Sequence, residues 1–560
     1  MAYDDTYEAV YELYNRDAAW DELVTVGSRE HLNLADEAIG RHADSDAIGL
    51  RIRDFETGEH EEYSFANLNA AANRVANYLD DHTDRNARVG VMLQPSIELY
   101  ATVFGMAKAG RIWVPLDVVS GPDAITYRVR DSGVTILFMP DEHVEKIEPE
   151  DLPALERVVV IGELMTDAIG HITIDPYAAV EEREPTFETV PTHPNDIVRL
   201  SYTSGTTGQP KAIPRTHGWI METNHAYVKY VLDLQPSDRY FAAASPAWSY
   251  GSYFGTVTPG MAGTAIGSYR GPFDPERFIE TLVEWDVTNA FAPPTALRQL
   301  RAADLDFDAS AINLRVLVTA GEALDEDTVV WCRDRFGVVP LDAYGAAEVS
   351  IVVSNYSFSD WQSKPGSMGK PLPGHEVTLL DDDGNEVGTN EVGEIAVKRR
   401  TGAWGDYSGE YWGDPEASLD LFQGPWLRVG DLARRDEEGY FWYYARKDAV
   451  INSAGHRIGP EEVEETVRKH DSVAEVCVVG VPDEERGERV KAFVALIDDV
   501  TPSDEVKRDI TTFARSQLAA YAYPREIEFL PELPKTATGK IDRATLEERE
   551  PSVGGPTRGG

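Results

Sequence analysis

Ser201-Tyr-Thr-Ser-Gly-Thr-Thr-Gly-Gln-Pro-Lys211 concentrates the groups that hold a polyphosphate. Thr203, Ser204, Thr206 and Thr207 bring hydroxyl donors. Gly205 and Gly208 let backbone N–H groups approach an anion, and Lys211 adds a compact positive charge. The lysine does not directly follow the second glycine, so this is not a Walker A loop, and a motor or GTPase is disfavoured.

The elements that must position this turn are legible around it. Ile197-Val-Arg-Leu-Ser-Tyr202 reads as a strand that runs straight into the loop. Ser64 starts a helix with Leu68, Ala72, Val75, Ala76 and Leu79 on one face. Short apolar strands are expected at 88–93, 111–116, 134–138, 157–161 and 315–319, with a helix from Ile97 to Ala109. Such runs between helices predict parallel sheets buried on both faces, with ligands beyond the carboxyl ends of the strands. Ala320-Gly-Glu322 follows one such end. From about 366 to 446 turns become dense, which predicts a small β unit. After Lys447 a helix at 460–469, strands at 475–479 and 490–497, and a helix at 503–518 predict a separate α+β domain. The expected class is α/β. A large N-terminal domain (1–446) of parallel-rich sheets and a small β unit precedes a small mobile α+β domain (447–548) and a disordered tail (549–560).

Lys and Arg number 52 against 97 Asp and Glu, giving a formal net charge of −45. The acidic residues are dispersed, as in Asp381-Asp-Asp383. That suits a surface in molar salt, where the Debye length is ~3 Å and self-repulsion is screened. We therefore expect a haloarchaeal cytoplasm. Binding to nucleic acid or anionic lipid through bulk charge is disfavoured. No apolar run would cross a bilayer, and the acidic start Met1-Ala-Tyr-Asp-Asp is unlike a presequence, so the expected location is cytoplasmic. Cys332 and Cys477, the only cysteines, sit in apolar runs and read as buried small hydrophobes.

Further motifs join the phosphate loop: Tyr344-Gly-Ala-Ala-Glu348, Trp426-Leu-Arg-Val-Gly-Asp431, Gly439 through Asp448, Ile451 through Val463, and Pro534-Lys-Thr-Ala-Thr-Gly-Lys540. In order and spacing, over roughly residues 30 to 545, the chain resembles the adenylate-forming superfamily of acyl-CoA synthetases, luciferases and adenylation domains. It looks most like the medium-chain acyl-CoA synthetases. The resemblance implies an AMP-forming acyl-CoA ligase. A carboxylate attacks the α-phosphate of ATP, giving acyl-AMP and pyrophosphate, and the thiol of CoA then attacks the acyl-AMP. The first step needs no general base, because the acid is already ionised near pH 7.

Residue by residue, the resemblance puts Thr203, Ser204, Gly205, Thr206, Thr207, Gly208 and Lys211 on the phosphates and makes Glu348 a ligand of Mg²⁺. Gly321 and Glu322 would line the adenine pocket, with Tyr344 stacked on the base. Asp431 would accept from the ribose hydroxyls, and Arg446 would touch ribose or phosphate. Lys540 would bridge substrate carboxylate and α-phosphate. Asp448 would be the hinge that swings in the Ser453–Arg457 loop, with Gly455 and Arg457 lining a CoA channel. His456 would be a plain loop residue. Trp248 and Tyr250 would wall an acyl pocket or pack the core. Acetate-specific relatives resemble the chain less and carry a tryptophan where Gly345 stands, so Gly345 would open room for a short- or medium-chain or aryl acid. The chain departs from the family at Ala347, where threonine is usual and contacts the α-phosphate. One hydrogen bond to a charged group is worth ~1.5–3 kcal/mol. Other readings are an adenylation enzyme loading a carrier protein, or a non-catalytic acyl-adenylate-binding protein. No carrier-like segment follows residue 545, which favours a free acceptor.

The charge balance carries a prediction. Thermal stability should rise with KCl well beyond about 0.2 M; a maximum below that contradicts the high-salt reading.

Overall fold

The computed structural model describes residues 6–163, 166–203, 210–399, 410–454, 456–483, 486–497, 500–519, 521–536 and 540–549, without the side chains of 220–224. They fall into two compact units. The first takes the described residues of 1–204, 210–377 and 397–427; the second takes those of 378–396 and 428–560. The stretch expected as one small β unit is thus divided between the two.

Two mainly parallel sheets dominate the first unit. One has eight strands, in the order Ala212–Thr216, Ile197–Tyr202, Ile112–Pro115, Arg88–Val91, Val134–Pro140, Arg157–Ile161, Ile172–Pro176, Ala168–Ile169. Its inner pairs are parallel and its two outer pairs antiparallel. The other has six strands: Tyr240–Ala242, Asn289–Phe291, Val316–Ala320 and Leu341–Ala346 run parallel, then Ser350–Ser354 and Lys370–Pro371 turn back. Val316–Ala320 is buried at every position, as a strand covered on both faces must be. A third sheet pairs Ile48–Asp54 in parallel with Ile266–Arg270 and antiparallel with His60–Ser64. That long-range parallel pairing leaves no local signal, and the sequence reading did not contain it.

The helices begin where capping chemistry places them. The Ser64 side chain accepts from Asn67 N–H and opens Phe65–His82; that of Ser96 accepts from Leu99 N–H and opens Ile97–Lys108. The five apolar positions expected on the first helix are all buried. The two helices approach so closely that a Cβ on Gly105 would lie 2.6 Å from the Ala72 carbonyl oxygen. Helices Tyr7–Leu13, Arg16–Leu23 and Leu34–Ala38 add an N-terminal layer that periodicity did not reveal. Glu37, wholly buried, anchors it by accepting from the Thr25, Val26 and Gly27 backbone N–H groups.

In the second unit Gly487–Leu496 pairs antiparallel with Val473–Asp483 and parallel with Glu526–Phe529. Helices Pro460–Arg468 and Asp504–Gln517 pack apolar residues onto one core with this sheet. Trp426–Arg435 and Phe441–Arg446 form an antiparallel pair, with Asp431 opposite Arg446. Both cysteines are buried, which pushes each thiol up to about 12. No described helix is long and apolar enough to cross a membrane.

Asp342 is an expensive member of the six-stranded sheet. Burial pushes its carboxyl up to about 7, and among the described residues no basic side chain pairs with it. A folded-state value above the unfolded one favours folding at low pH, and that favour is lost as pH rises through about 7. Asp342→Asn should therefore shrink the stability that the wild-type protein gains between about pH 8 and about pH 5, measured by denaturant unfolding.

Candidate active site

The phosphate loop follows Ile197–Tyr202 in sequence, and the chain returns as the antiparallel strand Ala212–Thr216. Its base is closed by Thr203. The Thr203 N–H donates to the Lys211 carbonyl at 2.9 Å, and its Oγ1 accepts from the Lys211 N–H at 3.1 Å. Ser204, Gly205, Thr206, Thr207 and Gly208 lie outside the described residues.

Glu348 stands at the tip of the hairpin joining Leu341–Ala346 to Ser350–Ser354. The tip is tight. Ser350 has φ +62°, and a Cβ on Gly345 would fall 2.2 Å from the Ser350 carbonyl oxygen. This gives Gly345 a backbone reason to be glycine beside the open acyl space expected from sequence. Arg215, buried on Ala212–Thr216, lies 3.9 Å over the Trp219 ring and donates to the Ala347 carbonyl. The strand leaving the phosphate loop thus grips the residue that replaces the usual threonine.

Tyr411 joins these two elements, and the sequence reading missed it. Its hydroxyl donates to Glu348 Oε1 at 3.1 Å, and Lys211 Nζ lies 4.9 Å from its ring centroid. Lys211 Nζ is also 3.9 Å from Asp414 Oδ2. The segment is pinned to the loop strand by Trp412 N–H on the Ala212 carbonyl at 2.7 Å. Thr203, Lys211 and Glu348 are therefore brought together.

Tyr344 is buried on Leu341–Ala346, two residues from Asp342. Gly321 takes φ +97° at the end of Val316–Ala320. The Glu322 carboxylate is committed to Thr295 Oγ1 and Arg298 Nη1, at 2.8 and 3.0 Å. Tyr250 is buried and stacks on Phe291, 3.5 Å between centroids, while its hydroxyl meets that of Tyr227 at 3.0 Å. Trp248, half-buried, lies 5.8 Å from Phe291. Phe254 completes an aromatic cluster of which sequence flagged only two members.

In the second unit Asp431, almost fully buried, accepts from Arg446 Nη1 at 3.3 Å. Arg446 Nε reaches Asp448 Oδ1 at 3.3 Å, so the expected ribose and hinge residues share one guanidinium. Burial alone would lower Arg446, and the Asp431 and Asp448 carboxylates more than reverse it. Ile451–Ser453 and His456–Ile458 form a hairpin with Ala454 at φ +51°. Gly455 lies outside the described residues. Arg457 is exposed, 3.9 Å from Asp382, and His456 stacks on Tyr521 at 3.9 Å. Lys540 is half-buried, and its carbonyl accepts from the Thr536 N–H at 2.7 Å, closing the base of its loop.

The chain is similar to known proteins along most of its length. A family described as AMP-binding enzyme matches residues 35–405, and the AMP-binding enzyme C-terminal domain matches residues 462–540. The chain is 35% identical to the acetyl-coenzyme A synthetase of Bacillus subtilis (strain 168), over 93% of this chain and 91% of that one. It is 29% identical to the mitochondrial acyl-coenzyme A synthetase ACSM3 of Pongo abelii, over 94% and 91%. The expectation that acetate enzymes resemble this chain less is corrected by the first of these. A crystal structure of the anthranilate CoA ligase AuaEII with anthranoyl-AMP superposes with a TM-score of 0.81 at 31% identity, covering 93% of this chain and 97% of that one. The chain belongs to the AMP-binding enzyme family and carries both its AMP-binding and its C-terminal domains.

Proposed function

We propose that this protein is an AMP-forming acid–thiol ligase that converts a carboxylic acid, ATP and CoA into acyl-CoA, AMP and pyrophosphate. The observation that carries the reading is the meeting of Thr203, Lys211 and Glu348 around Tyr411 in the first unit. A cation and an isolated carboxylate beside a glycine-rich turn suit a metal-bound polyphosphate. Among the described residues no three His, Cys, Asp or Glu side chains gather to hold a metal by themselves. Glu348 would hold a Mg²⁺ brought in with the nucleotide, and the ion would neutralise phosphate charge there.

The chain's own residues supply the rest. Lys211 and the loop hydroxyls orient the triphosphate, and Asp431 and Arg446 hold the ribose. Lys540 is the cation for the point where acid and α-phosphate meet. One active site must serve two transition states, so Asp448 is the joint about which the C-terminal part turns, with Gly455 and Arg457 guiding CoA. The C-terminal part of this reading begins at 447, and residues 550–560, expected as a tail, lie outside the described residues. The aromatic cluster of Trp248, Tyr250 and Phe291 supports a short- or medium-chain or aryl acid. The charge balance supports a high-salt cytoplasm.

Exchange of labelled pyrophosphate into ATP, across acids from acetate to decanoate and simple aryl acids in concentrated KCl, tests the activity; no exchange with any acid refutes it. Lys540→Ala should slow the first half-reaction by at least ~100-fold while largely sparing thioester formation from supplied acyl-AMP. Equal loss in both half-reactions contradicts its role. Asp448→Pro should show the opposite split, with the second half-reaction stalled and pyrophosphate exchange retained.

A further inference from the structure

The exposed Lys211 and the half-buried Glu348 meet the same side chain, Lys211 over the Tyr411 ring and Glu348 at its hydroxyl. An ammonium and a carboxylate gathered on one side chain attract each other. A paired Lys211 would no longer face phosphate, and a paired Glu348 would no longer face a metal.

We propose that Tyr411 is a positioning residue that holds Glu348 and Lys211 apart and ready before nucleotide arrives; this rests on the ligase reading above. Its two faces have different work. The hydroxyl donates to Glu348 Oε1 at 3.1 Å and fixes the carboxylate direction without neutralising it. The ring holds Lys211 Nζ through its quadrupole, 4.9 Å from the centroid, so the cation keeps its full charge. Asp414, 3.9 Å from Nζ, is too distant and too exposed to do more than bias the lysine. Backbone hydrogen bonds hold the Tyr411 segment in place. Tyr411 N–H donates to Ser418 Oγ at 2.8 Å, and Trp412 N–H donates to the Ala212 carbonyl, next to Lys211. A phenol is the side chain that can do both tasks at once. Phenylalanine keeps only the ring, and leucine keeps neither.

The test is calorimetric binding of ATP to the full chain without acid or CoA, once with excess EDTA and once with saturating MgCl₂. In wild type Mg²⁺ should tighten binding. Tyr411→Phe should bind metal-free ATP within about twofold of wild type, yet lose about tenfold of the tightening, the worth of one hydrogen bond to a charged group. Tyr411→Leu should also weaken metal-free binding, because Lys211 is released onto Glu348. Glu348→Gln should abolish the tightening, and adding Tyr411→Phe to it should change nothing more. Tyr411→Phe with a wild-type Mg²⁺ response, or an additive loss in the double variant, overturns the proposal. If the leucine variant fails to fold, the Phe and Gln variants decide alone. A wild type that binds no ATP in either condition refutes the ligase reading and this inference together; a binding wild type with an unaffected Tyr411→Phe refutes only the inference.

Discussion

A chain with a formal net charge of −45 that handles a polyphosphate must hold an anion against its own field. A cation that is to face phosphate has to keep its charge among carboxylates that outnumber the cations across the molecule. The architecture around the loop is best understood as an answer to that shortage of positive charge. In concentrated salt the distant carboxylates are screened, and only the groups within a few ångströms decide the matter.

Aromatic faces are the recurring device. Lys211 rests on Tyr411, Arg215 on Trp219, and Arg199 between Trp113 and Tyr253 at 4.9 and 4.6 Å. Arg199 is almost fully buried and stands opposite Arg215 in the strand register. A carboxylate would fix a guanidinium by neutralising it. A ring fixes it and leaves its charge available to the surroundings. Arg215 uses that freedom to hold the Ala347 carbonyl, linking the loop strand to the Glu348 hairpin where a threonine hydroxyl is absent.

Much of this was legible in the chain. The strand at 197–202, the capped helices behind Ser64 and Ser96, and the C-terminal pattern of helix and strand carry local signals of period and capping, and they stand where those signals put them. The motif residues were legible because glycines, hydroxyls and isolated charges mark a turn. What escaped was long-range or chemically plain. The pairing of 48–54 with 266–270 depends on residues more than two hundred positions apart. Tyr411 sits in an aromatic turn whose sequence looks structural, and only the folded chain sets its hydroxyl beside Glu348. Asp342 was one acidic residue among many, and burial alone distinguishes it. Phe291 and Tyr227 reach the Trp248–Tyr250 segment from other elements.

The eight-stranded sheet ends on both sides in a short antiparallel strand, and on the phosphate-loop side that strand contains Pro214. Proline offers no N–H to a neighbouring chain, and the Ala212 carbonyl is already taken by Trp412. The border beside the loop is therefore a poor template for another copy to extend. Where salts that promote apolar association are abundant, stacking sheet to sheet is a standing hazard. At this edge the chain's own proline and its own Trp412 leave little backbone for a neighbouring strand to bind.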